Sequence, residues 1–251
     1  MSLRTQGWQT LEGLYDEAAL AQLRDTLDAL HARFGAPPLH AKEPVWLADG
    51  VEIAGPGLAF YSLLGLAPEL GPRLFTDAAV DALREVLGDA MHLELVGAVL
   101  SDEGRAFTEW ESHLGGIDDE RWRRAGKRPR QDAIRRVVHF LFLEDMDPET
   151  GPWRVLPRAV GDPVDPPASI HQPEWPGQVE LSLRAGTVLL LEESVWHCVI
   201  PRLRPGRRHF IGAYFASEHA APTEGHDPSL DVLQTEQALL RSVLARRPRR
   251  S

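Results

Sequence analysis

Seven short β-prone runs crowd the chain beyond His92, and their spacing limits the possible folds more than any other feature. They span 93–100, 136–143, 153–156, 179–183, 187–191, 196–200 and 208–215, and turn-forming residues separate them. Short strands at this spacing predict antiparallel sheets packed as a sandwich or jelly roll, and not βαβ units. The expected fold is therefore mainly β with flanking helices: a double-stranded β-helix, the cupin-like jelly-roll barrel.

The flanking helices are legible from apolar periodicity. Leu20, Leu23, Leu27 and Leu30 recur at spacings of 3, 4 and 3, which predicts a helix over 16–34 with Asp16 as its N-cap. A second helix is expected over 78–89 behind Thr76 or Asp77, burying Val80, Leu83 and Leu87. Between them, Ala36-Pro37-Pro38 and Gly55-Pro56-Gly57 read as irregular wrapping over 35–75. A last helix is expected from Pro228 to about Arg246, capped by Asp227, with Pro228 at the favoured first position. The basic residues 246–250 then form a solvated end.

With 251 residues, 43% of them hydrophobic, the chain falls where one compact domain buries a sizeable core. The expected organisation is a single domain, with 1–91 as N-terminal helical support, 92–217 as the β core, and 218–251 as the C-terminal helix and basic tail. No internal repeat is visible. Acidic residues outnumber basic ones, 37 to 27, and the net charge of -10 argues against nucleic acid and anionic membranes as partners. The expected partner is a small molecule, while oligomeric state has no signature. No stretch approaches the roughly 20 apolar residues of a membrane span, and Arg4, Gln6 and Glu12 interrupt the N-terminus. A cytoplasmic protein is expected. Cys198 is the single cysteine, which excludes an intramolecular disulfide and a cysteine-rich zinc site, so metal ligands must be histidines and carboxylates.

The segment 118–136 is dense in arginine, from Arg121 to Arg136, and reads either as a solvated insertion or as a lid that attracts an anionic group. Chemistry is concentrated elsewhere. The run Ala185-Gly186-Thr187-Val188-Leu189-Leu190-Leu191-Glu192-Glu193-Ser194-Val195-Trp196-His197 is an apolar strand that ends in a turn and delivers a histidine to the mouth of a barrel. Arg208 follows eleven positions later, opening the next strand.

This pattern resembles the phytanoyl-CoA dioxygenase-like family of non-haem iron, 2-oxoglutarate-dependent oxygenases. A second stretch, from Val137 to Pro157, is similar to that family's strand, acidic turn and Asn-Gly segment. Thr150 stands where Asn is usual, and Arg158-Ala159-Val160 stands where Gly-Ser-His is usual. The resemblance implies that His197 binds Fe(II) and that Arg208 grips the distal carboxylate of 2-oxoglutarate. Arg207 is the alternative if the strand register slips by one. It further implies O2 as co-reactant, with hydroxylation of an unactivated carbon and release of succinate and CO2.

Family members carry His-x-Asp where this chain has Glu109-Trp110-Glu111-Ser112-His113-Leu114-Gly115. Two alignments are open. In one, Glu111-x-His113 supplies the same ligand types in reversed order, and Glu111, His113 and His197 form a two-histidine, one-carboxylate set. In the other, His113-Leu114-Gly115 lacks the carboxylate and is similar to iron- and 2-oxoglutarate-dependent halogenases. Asp118 and Asp119 are the other carboxylates near enough in sequence to take part. A third reading, of a different class, is a jelly roll that binds a metabolite without turnover. His139 is either directed at the cofactor or a core histidine, His209 faces away from Arg208, Cys198 is buried and inert, and Trp196 packs at the site or in the core.

Overall fold

Leu20, Leu23, Leu27 and Leu30 bury one side of a long helix, Glu17–Arg33, and Asp16 caps it by accepting a hydrogen bond from Ala19 N at 2.8 Å. The computed structural model describes residues 2–116, 131–223 and 227–244; in it this helix is α2, after the one-turn α1 (Leu3–Gln6). Two one-turn helices follow, α3 (Leu63–Leu66) and α4 (Gly71–Leu74). The helix expected near 78–89 is α5 (Asp77–Leu87), where the Thr76 hydroxyl accepts from Ala79 N at 3.3 Å and Val80, Leu83 and Leu87 are buried. Among the described residues, no helix is long and apolar enough to cross a membrane.

Among the described residues, eleven strands make two antiparallel sheets. In chain order they are β1 (Trp8–Leu11), β2 (Val45–Ala48), β3 (Val51–Ile53), β4 (Leu58–Phe60), β5 (His92–Ser101), β6 (Arg136–Phe142), β7 (Trp153–Val155), β8 (Val179–Leu181), β9 (Val188–Glu192), β10 (His197–Val199) and β11 (Arg208–Ala216). The larger sheet runs β1-β9-β6-β11-β5-β4-β3-β2 and the smaller β10-β7-β8. The architecture is a double-stranded β-helix of two facing sheets, with linear strand orders that do not close into a ring. Each of the seven expected core strands is present, with ends displaced by at most two residues.

The central strands of the larger sheet are covered on both sides, so β6, β9 and β11 read as continuous apolar runs rather than alternations. Along β6, Val137 and Leu141 pack with the helices, while Val138, Phe140 and Phe142 pack between the sheets. The same alternation in β11 sends Ile211, Ala213 and Phe215 to the helical side and Tyr214 to the inner side. A third cluster, Trp110, Trp175, Trp196 and Cys198, packs separately from both.

Three expectations need correction. The N-terminal 91 residues are not only helical support, and 35–75 is not only irregular wrapping. β1 pairs with β9 (Trp8 opposite Leu191), and β2, β3 and β4 extend the larger sheet beyond β5. These strands have three or four residues each, too few to show a period among Pro and Gly, and pairing with distant β5 and β9 is what makes them strands. The C-terminal helix is also divided, into α6 (Ser229–Val232) and α7 (Ala238–Leu244). Leu233 leaves the helical region (ψ 119°), the Thr235 hydroxyl accepts from Gln237 N at 3.2 Å, and the Gln237 side chain donates to Pro72 O at 3.2 Å. The expected basic tail, Asp118, Asp119 and the arginines from Arg121 to Arg130 lie outside the described residues.

Candidate metal centre

Backbone pairing brings the candidate ligands together. Glu111 forms an isolated antiparallel bridge to His197 at the free edge of β10, with both N–H···O bonds at 2.9 Å. Directly opposed residues of an antiparallel pair project to the same face, and His113, two positions after Glu111, returns to that face. One metal-ligating atom from each of Glu111, His113 and His197 lies within 4.8 Å of the others. Glu111 Oε1 is 3.6 Å from His197 Nε2, and the two imidazole centroids are 4.9 Å apart. Trp110, immediately before Glu111, projects to the opposite face and stacks on Trp175 at 4.4 Å.

His197 is prepared for a metal by its own surroundings. Its Nδ1 lies 3.1 Å from the Val195 carbonyl, which can only accept, so Nδ1 carries the proton and Nε2 keeps its lone pair. That Nε2 is buried and has no hydrogen-bond partner. Burial lowers the His197 pKa, Glu111 only partly opposing it, and this favours the neutral, ligating imidazole. Trp153 stacks flat on the ring at 5.1 Å, and the Tyr214 hydroxyl lies 3.5 Å from His113 Nε2. Two imidazoles and one carboxylate converging on an orphaned nitrogen fit a divalent transition metal of the non-haem Fe(II) type.

The three ligands border a cavity of about 220 Å³ between the sheets, which Tyr61, Phe140, Trp153, Phe210 and Tyr214 also line. Arg105 lines it too, and sequence reasoning missed it. It stands in an Asp102-Glu103-Gly104-Arg105 turn that reads as an ordinary solvated loop, and only the tertiary fold buries it, to 6% exposure.

Arg208 and Arg207 separate as strand alternation requires. Arg208 is buried on the inner side, where its Nη2 donates to Gly151 O at 2.8 Å and to Thr150 O. Gly151 has φ +85°, and a Cβ there would lie 2.1 Å from Arg208 Nη2, so only glycine permits this approach. Burial lowers the Arg208 pKa to about 9, with Arg105 and Arg202 adding to the effect. Arg208 is not among the residues that line the cavity. Arg207 instead pairs with Asp28 on α2, and His209, facing away from Arg208, is held by Glu144 at 2.6 Å and Asp28 at 3.3 Å.

His139 does not reach the metal face. It lies against Phe75 at 5.8 Å on the helical side, and burial lowers its pKa to about 4. Trp196 belongs to the third apolar cluster and donates to Val164 O at 2.9 Å, and beside it burial raises the Cys198 thiol to about 12. Gly115 is in a left-handed turn (φ +86°) and gives its N–H to Glu193 at 2.8 Å, whereas Glu111 joins the two histidines.

Buried ion pairs hold the 192–196 turn that delivers His197. Arg136 donates to Glu94 at 2.8 and 3.0 Å and lies 3.6 Å from Glu193, while Arg158 bonds Ser194 Oγ at 2.7 Å and lies 3.5 Å from Glu192. Burial still dominates the acids: Glu193 is pushed up to about 7 despite Arg136, and Glu192 is also raised.

No protein-family model matches the chain, and no curated protein matches it. Solved structures share the fold. HygX from Streptomyces hygroscopicus with iron bound is 15% identical over 86% of this chain and 85% of its own (TM-score 0.62), and HygX is also known with nickel, 2-oxoglutarate and hygromycin B bound. AviO1 from Streptomyces viridochromogenes is 17% identical over 88% of this chain and 94% of its own (TM-score 0.63). SnoN, a non-haem α-ketoglutarate-dependent epimerase from nogalamycin biosynthesis, is 17% identical over 94% of this chain and 87% of its own (TM-score 0.57). At these identities the likeness is one of fold.

Proposed function

We propose that this chain is an Fe(II)- and 2-oxoglutarate-dependent oxygenase acting on a small molecule, with Glu111, His113 and His197 as its metal ligands. The convergence of these three side chains on one buried, unpartnered nitrogen carries the reading. A fold shared with HygX, AviO1 and SnoN supports it. When bound, iron and 2-oxoglutarate supply the oxidising chemistry with O2. The chain's own residues would do the rest: His197 presents its lone pair, Phe140, Trp153 and Phe210 exclude water, and Arg208, which lies outside the cavity lining but keeps its Nε unpartnered, would receive the distal carboxylate of the keto-acid.

Hydroxylation of an unactivated carbon is the preferred outcome. The halogenase reading needs a site without a carboxylate, and Glu111 stands beside both histidines. Binding without turnover is disfavoured by the complete donor set. Kinship with phytanoyl-CoA dioxygenase-like proteins in particular rests on the 137–157 and 185–208 motifs. Anaerobic titration with Fe(II) and 2-oxoglutarate tests the proposal: a weak visible charge-transfer band is expected in the wild type and absent from His197→Ala and Glu111→Ala. A folded wild type without the band would leave a metabolite-binding barrel. A band that survives Glu111→Ala and shifts with chloride would return the halogenase reading.

A further inference from the structure

Arg105 is the unexplained group of the cavity. It is a buried cation whose Nε and Nη1 have no hydrogen-bond partner, and it lines the same space as Glu111, His113 and His197. Leaving buried guanidinium donors unmade costs the desolvation of a charged group, so the position is stable only if something offsets it. Glu111 attracts it across the cavity, yet in the proposed enzyme that carboxylate is committed to the metal. Arg208, near enough for the two positive charges to repel, adds to the deficit. Burial lowers Arg105 to about 10, which leaves it a cation at neutral pH.

The residue is also held in place. Arg105 N donates to Asp102 O at 3.2 Å, and Asp102 Oδ1 accepts from Gly104 N at 2.8 Å. His40 bridges Asp102 Oδ1 at 2.9 Å and the Gly55 carbonyl at 3.1 Å, tying this turn to the loop whose Ala54, Pro56 and Gly57 border the cavity.

We propose that Arg105 is an anion anchor, whose guanidinium takes a carboxylate, or an oxyanion of like geometry, from a ligand bound beside the metal ligands. A guanidinium with no side-chain hydrogen bond among the described residues can offer a carboxylate two parallel bonds, through Nε and Nη2 or through Nη1 and Nη2, and the bound anion relieves the repulsion from Arg208. This deepens the proposed function, because either the dicarboxylate cosubstrate or the primary substrate can bring the anion.

Calorimetric titration separates the two sources. Wild type, Arg105→Gln and Arg105→Lys are titrated with 2-oxoglutarate, with and without Mn(II), and then with benzoate over saturating Mn(II) and 2-oxoglutarate. Benzoate suits a cavity lined by Phe140, Phe210 and Tyr214. Arg105→Gln is expected to weaken at least one ligand by about tenfold or more, and Arg105→Lys to recover part of it by restoring charge without the fork. Loss confined to 2-oxoglutarate places the cosubstrate on Arg105, and loss confined to benzoate places the primary substrate there. Unchanged affinities in a folded Arg105→Gln protein, or a wild type that binds neither ligand, would overturn the anchor. Failure to bind Mn(II) sinks the proposed function alone, since Arg105-dependent binding of 2-oxoglutarate to the apoprotein would still stand.

Discussion

Arg136 and Arg158 are as deeply buried as Arg105 and Arg208, but the two pairs live in opposite electrostatic company. The first two meet carboxylates: Glu94 and Glu193 for Arg136, Glu192 for Arg158. The second two have no carboxylate in hydrogen-bond contact; Arg208 rests on carbonyls, and Arg105 has two idle donors. Removing one partner of a buried ion pair strands the other, whereas removing Arg105 strands no carboxylate. The paired arginines therefore hold the turn before His197, and under the proposed function the unpaired ones would keep charge available for a ligand.

The largest expected effect lies on the paired side. Arg136→Met leaves Glu94 and Glu193 buried without their cation and should cost about 3–5 kcal/mol of stability in urea unfolding. A loss below about 1 kcal/mol would erase the distinction between the two kinds.

Titration of the paired acids comes next. Glu193, ordinarily near 4.5, sits at about 7 because of burial, so between those values the folded state keeps a proton that the unfolded state releases. Stability should fall as pH rises across that window and level off above it, by roughly 1–3 kcal/mol. Glu193→Gln should flatten this component, and identical pH profiles for the two proteins would refute it.

A smaller effect is expected at His209. Burial lowers its pKa, but Glu144 and Asp28 together outweigh burial and hold it above the ordinary 6.5. Its contribution is present at lower pH and lost as pH rises through the folded pKa. Thermal melts of Glu144→Gln should lack this decline. At the unpaired end, Arg105→Gln should change stability by less than about 0.5 kcal/mol or raise it, since no partner is stranded. A large loss there would make Arg105 a structural residue like Arg136.

The chain announces some of these features and hides others. α2 and α5 are legible because their apolar periods and caps are local. Of the seven core strands, β5, β6, β9 and β11 are legible because both their faces are covered and the runs are strongly apolar, and β7, β8 and β10 because turn residues bracket short β-prone runs. β1 to β4 are hidden, since strands of three or four residues acquire their identity from partners far away in sequence. His197 and Arg208 stand out by their place around strand-ending turns. Arg105, in a charged turn, carries no such mark.

Glu111 shows where the division falls. Residue order alone determines that Glu111 and His113 share a face if the backbone there is extended, because side chains alternate along such a chain. It equally permits a reading in which His113-Leu114-Gly115 is the ligand segment. In the fold an antiparallel bridge sets the Glu111 carboxylate opposite His197 while Gly115 gives its N–H to Glu193, which supports the first reading in the proposed function. Local composition and period thus settle which residues can be strands, helices or ligands. Which of them converge, and which buried charges go unpaired, is decided by long-range backbone pairing, because register between distant strands is a property of the folded sheet alone.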